Sequence, residues 1–118
     1  MVGVNKIMSE YKPDNWVILK IKKANAEEYF YKVLGGWSGG YLDGDSWRMN
    51  SGVSKVTEEG DYFLFHGFSG SVYKCHKQGY GLRMNNVGVY ENLLETYGKE
   101  IVQLMSEYTD WSSLDYGK

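Results

Sequence analysis

Hydrophobic and polar positions change period along this chain in a way that divides it into strands and one helix. "WVILKIKK" (residues 16–23) begins as a continuous apolar run. It then alternates, with Val17, Leu19 and Ile21 on one side and Lys20 and Lys22 on the other, which predicts a strand. After the turn "ANAE", "EYFYKVLG" (28–35) sets Tyr29, Tyr31 and Val33 against Phe30, Lys32 and Leu34. That is a second strand, paired with the first as a hairpin. Downstream, "SKVT", "YFLFHGF" and "SVYKCHK" are separated by the turns "EEGD" and "SG". Short glycine-bearing connections of this kind predict three antiparallel strands in meander order.

The period then becomes three and four. Tyr90, Leu93, Leu94, Tyr97, Ile101, Leu104, Met105 and Tyr108 fall on one side of a helix and Glu91, Glu95, Lys99, Glu100, Gln103 and Glu107 on the other. This predicts an amphipathic helix from about Val87 to Tyr108, with Asn85 or Asn86 as its N-cap. Gly98 lies inside the pattern at a cost of about 1 kcal/mol relative to alanine, and marks a close contact or a bend.

Together these elements predict an α+β domain: a small antiparallel β-meander or partly open barrel of about five strands, with one C-terminal amphipathic helix packed on it. The 118 residues provide for a single domain with one core. Residues 1–14 read as a loose N-terminal arm and 109–118 as a loose tail, with Trp111 and Leu114 as the tail's docking candidates.

Composition narrows the function classes. A formal charge of −2 argues against general nucleic-acid binding or attachment to a membrane surface. The opening "MVGVNKIMSEYKPDNW" has no long apolar run, so neither a signal peptide nor a membrane span is expected. Cys75 is the only cysteine, which excludes an internal disulfide and fits a reducing compartment.

Chemistry concentrates in "GGWSGGYLDGDSWRMNSG" (35–52). Strand period and turn propensity explain much of it: the glycine pairs allow positive φ or close backbone approach, and "DG" is a turn dipeptide. What remains is an inventory suited to a nucleotide-like or sugar-like ligand. Trp37, Tyr41 and Trp47 offer flat faces for stacking, and Arg48 offers a fork for phosphate or carboxylate. Ser38, Asp45 and Asn50 add polar contacts in the same stretch. Outside it, His66 and His76 can contribute hydrogen bonds, and Arg83, ahead of the helix, can meet an anion.

Known motifs do not fit. No G-x-x-x-x-G-K-[ST] run is present, and the glycines do not follow G-x-G-x-x-G. A calcium loop started at Asp43 would lack glycine at its sixth position and would end on Ser54. Cys75 and His76 are neighbours in a predicted strand and point to opposite faces, so they do not share a metal. No metal and no cofactor is expected, and no residue is assigned a catalytic role. A hydrolase acting through His66 or His76 ranks last.

"YKVLGGWSGGYLDGDSWRMNSGV" followed by "YFLFHGFSGSVYKCHKQGYG" resembles small cytoplasmic proteins of tailed bacteriophages. The likeness covers roughly residues 11–90 and is strongest at "GGYLDGDSWRMNSG" and "GSVYKCHK". That family carries no established activity to transfer. The resemblance implies a viral gene product working inside a bacterial cytoplasm, a setting in which small phage proteins without catalytic groups often counter host defence by binding. The leading expectation is therefore a non-enzymatic protein that sequesters a small phosphate-bearing metabolite or signalling nucleotide, with a homo-oligomer enclosing the ligand more fully. The alternative is a protein–protein inhibitor that uses a Tyr/Trp surface.

Overall fold

A computed structural model of the chain describes residues 9–23, 27–39 and 44–117. The strands are β1 (Ser9–Tyr11), β2 (Asn15–Lys22), β3 (Tyr29–Trp37), β4 (Ser46–Met49), β5 (Val53–Glu59), β6 (Tyr62–Gly67), β7 (Ser71–His76) and β8 (Val102–Leu104). One helix, α1 (Val87–Tyr97), and a 3₁₀ turn at Trp111–Ser113 complete the regular structure among the described residues. The strands form two open four-stranded sheets, ordered β1-β7-β6-β5 and β4-β3-β2-β8. All pairs are antiparallel except β1 with β7.

The β2–β3 hairpin and the β5–β6–β7 meander match the periodicity. Among the described residues eight strands replace the expected five or so, and the sheets do not close into a barrel. The three additional strands each have a local cause. β1 lies in the expected arm and pairs with β7 from Ser9↔Ser71 to Tyr11↔Tyr73. β4 comes from the glycine-rich stretch and β8 from the segment expected as the last turns of the helix.

That helix stops at Tyr97 because Gly98 adopts φ +85, where its N–H donates to the Leu94 carbonyl. A side chain at that φ would be strained. Val102–Leu104 then runs extended along β2, with Lys20 opposite Gln103. Ile101 and Val102 are β-branched and suit the strand better than the helix. Asn86 takes the N-cap position without bonding a helix N–H. Its Oδ1 accepts from Arg83 N and its Nδ2 donates to the Leu34 carbonyl.

The central strands β2 and β3 of sheet β4-β3-β2-β8 are buried on both faces through residues 15–19 and 33–36, which explains the unbroken apolar run in "WVIL". Trp16, Ile18, Tyr31 and Val33 face the other sheet and pack with Val53, Phe65, Tyr73, Cys75 and Trp111. Val17, Leu19, Leu34 and Val102 face the opposite way and are covered by Val89, Tyr90 and Leu93 of α1, with Leu82 and Ile101. The order is therefore sheet, sheet, helix. Trp16 is the centre of the inner layer, with its ring 4.7 Å from Tyr80, 5.3 Å from Phe65 and 6.0 Å from Trp111. Each such large side chain contributes on the order of 1.5–3 kcal/mol by leaving water.

Candidate functional site

β3 links two unlike regions. At its C-terminal end the chain is closed by paired amides. Asn15 and Asn85 are buried and exchange hydrogen bonds, Asn85 Nδ2 to Asn15 Oδ1 at 2.7 Å and Asn15 Nδ2 to Asn85 Oδ1 at 3.1 Å. Asn15 Nδ2 also donates to the Gly81 carbonyl, and Asn85 Nδ2 to Ser38 Oγ at 3.4 Å. Gly36 lets this pair lie against the strand, since a Cβ there would collide with the Asn85 amide.

At its N-terminal end β3 borders a hollow of about 770 Å³ lined by Lys23, Glu28, Tyr29, Phe30, Ser51, Phe68, Asp115, Tyr116 and Gly117. Four stretches build it: the end of the β2–β3 hairpin, the β4–β5 link, the β6–β7 turn and the C-terminal segment 115–117. Gly52 forms part of the packing beneath it, because a Cβ at that residue would lie 3.1 Å from the Phe68 ring and 3.5 Å from Phe30. On the other flank Tyr29 meets Tyr31 edge-on at 5.9 Å, and Tyr31 meets Tyr116 at 5.4 Å. The Tyr116 hydroxyl donates to the Trp111 carbonyl, and its burial pushes its pKa well above the usual value. Burial, reinforced by Tyr29 and Asp115, also raises Tyr31.

Among the described residues, charge at the hollow is two carboxylates against one ammonium. Lys23 pairs with Glu28 at 3.5 Å, which leaves Asp115 as the excess. Tyr29 is 44% exposed and Phe68 55% exposed, so two large rings stay in water where the fold could have covered them.

The residues singled out by sequence lie elsewhere and do not converge. Trp37 is half-buried, with its indole N–H on the Lys12 carbonyl at 3.0 Å and its ring 6.4 Å from Tyr11. Ser38 accepts from Asn85, and its N–H donates to Asp14 Oδ2 at 2.8 Å. Trp47 and Arg48 are neighbours in β4 and leave it on opposite faces. The Arg48 guanidinium lies 4.6 Å over the Tyr11 ring, while Trp47 pairs with Gly36 on the side of Asn85. Asp45 is exposed ahead of β4, and Tyr41 lies outside the described residues. Asn50 is buried against β3: its Oδ1 accepts from Val33 N at 2.9 Å, while its Nδ2 has no partner among the described residues.

No protein-family model, no curated protein and no solved structure matches this chain.

The histidines are also apart. His66 pairs with Val72 and His76 with Tyr62 on the β6–β7 ladder. Four residues along a strand separate them by about 13 Å. His66 Nε2 bonds Thr57 Oγ1 at 3.0 Å, and burial, with Lys55 alongside, lowers its pKa. His76 Nδ1 accepts from Gln78 N. Burial pushes the Cys75 thiol well above its ordinary pKa, which suppresses the nucleophilic thiolate. Arg83 is exposed in the loop before α1. Among the described residues no group of three or more His, Cys, Asp or Glu could hold a metal ion, and no helix is long and apolar enough to cross a membrane.

Sequence reasoning passed over the hollow because its walls come from four separate stretches. One signal was present: Phe68 stands in the turn "HGFSG", where a large ring has few neighbours to cover it.

Proposed function

We propose that this is a binding protein without chemistry of its own, and that it takes its ligand in the aromatic hollow at the N-terminal end of β3. The observation that supports this is the grouping of Tyr29, Phe30, Phe68 and Tyr116 around about 770 Å³, with Glu28 and Asp115 outweighing Lys23 among the described residues. Ring faces and excess carboxylate favour a ligand with a flat or apolar body that is neutral or carries positive charge, since cations are attracted to both. The resemblance to small phage proteins is consistent with capture rather than conversion. Phosphate capture by Trp47 and Arg48 is the rival reading. It would require a ligand that wraps the β4 edge to meet both side chains.

Thermal unfolding with a panel of organic cations, neutral aromatics and nucleotides separates the two. A ligand of the hollow raises Tm in the wild type and in Trp47→Ala and Arg48→Ala, and fails to do so in Phe68→Ala. Recovering the ligand intact after denaturation confirms that no reaction occurred. Stabilisation by nucleotides that vanishes in Arg48→Ala and persists in Phe68→Ala would overturn the assignment.

A further inference from the structure

We infer that β4 is a dimerisation edge, and that two copies of this chain join by antiparallel pairing of β4 about a two-fold axis at Trp47. β4 is the end strand of its sheet and pairs with β3 alone. Its register sets Arg48 opposite Gly35 and Trp47 opposite Gly36, and Asn50 N donates to the Val33 carbonyl. Antiparallel alternation therefore turns the backbone groups of Ser46 and Arg48 towards β3 and those of Trp47 and Met49 away from it. Those two N–H and two C=O groups have no partner among the described residues.

The other sheet ends are blunted in ways that β4 is not. β5 carries Lys55, Glu58 and Glu59 and a register shift between Val53 and Lys55. β8 and β1 are three residues long, and the Val102 N–H of β8 is tied to Gly98. Charges, bulges and shortness are the usual devices that keep an edge from pairing. The one charge on β4, Arg48, is drawn onto the Tyr11 ring of its own chain.

The sequence "SWRM" also selects a register. With Trp47 opposite Trp47 of the second copy, its N–H and C=O exchange two hydrogen bonds with that residue, and the two indoles lie side by side on the helix-bearing face. Arg48 then meets Ser46 of the second copy. Shifting the axis to Arg48 would set two guanidinium groups directly opposite, which is unfavourable. The product is one continuous eight-stranded antiparallel sheet with both helices on the same face. Trp47 is 51% exposed in the single chain, and this pairing covers it.

Sedimentation of the full chain across a wide concentration range tests the inference. The wild type is expected at twice the chain mass, and Trp47→Lys, which opposes two ammonium groups at the axis, at the chain mass. Directly opposed residues of a hydrogen-bonded antiparallel pair have Cα atoms about 5.5 Å apart, within disulfide range. Trp47→Cys should therefore form a covalent dimer on mild oxidation, while the buried Cys75 of the wild type gives none. This second variant decides the matter even if Trp47→Lys fails to fold. A wild type that stays monomeric, or a dimer whose Trp47→Cys variant does not cross-link, overturns the inference.

Discussion

The two ends of β3 are built on opposite principles. At Gly36 the backbone is stripped of a side chain so that a buried, reciprocally bonded amide pair can lie against it. At Tyr29 and Phe68 large rings stand around a hollow with about half their surface in water. Buried polar groups are costly unless every partner is supplied, so the first end tolerates little change. Exposed rings contribute little to folding and are available to a partner. The first end serves stability, and the second is the one we propose for recognition.

The comparison is broken most severely at Gly36. Gly36→Ala drives a methyl group into the Asn85 amide, which both overpacks the site and separates Asn85 from Asn15. A loss on the order of 3 kcal/mol is expected from overpacking plus unpaired buried amides. Urea unfolding should show a lower midpoint with an unchanged slope.

Alkali reaches the same end next. Burial raises Tyr73, which stacks on Tyr11 beside Arg48, to about 12, and raises Tyr80 to about 12 as well. A pKa raised on folding means that above pH 10 the unfolded chain has released protons the folded chain still holds. Stability is therefore complete below about pH 10 and falls as pH rises towards 12. The loss is about 2 kcal/mol for fully buried Tyr73 and less for half-buried Tyr80, whose solvent contact weakens the effect. Tyrosinate absorbance followed together with circular dichroism should show the last tyrosines ionising only as the fold is lost.

At the open end the expectation reverses. Phe68 is already 55% exposed, so Phe68→Ala forfeits less than about 1 kcal/mol of burial. It should nevertheless abolish ligand-induced stabilisation. A Phe68→Ala protein that unfolds as readily as Gly36→Ala would mean that the hollow is part of the core.

How much of this contrast was legible beforehand depends on how local each feature is. The β2–β3 hairpin and the β5–β7 meander are written in period two with turn residues between. Val87 to Tyr97 is written in period three to four. The end of the helix was not, because Ile101, Leu104 and Met105 continue the helical spacing and only the conformation of Gly98 breaks it. The separation of Trp47 from Arg48 was legible in principle: once "SWRM" is a strand, its neighbours must part. The hollow and the Asn15–Asn85 pair were not legible. Their members stand up to 94 residues apart, Lys23 being set near Asp115, Tyr116 and Gly117 only by the packing of the tail.

The finest test compares two serines. Ser51 Oγ accepts from Ser69 N at 3.1 Å and pairs with Ser69 Oγ at 3.2 Å, both at the exposed open end. Ser38 Oγ accepts from Asn85 Nδ2 at 3.4 Å, a longer bond. Ranked by length alone, Ser51→Ala should cost more. Burial ranks them the other way: water replaces Ser51 at no great loss, whereas the Asn85 amide is buried and would lose the partner that exposed Ser38 offers it. Roughly 0.5–1 kcal/mol is expected for Ser38→Ala and a few tenths for Ser51→Ala. Paired urea titrations resolve a difference of this size through the midpoints. A larger loss at Ser51 would show that the open end is held by its hydrogen bonds after all, and the division between a sealed end and a receptive one would no longer stand.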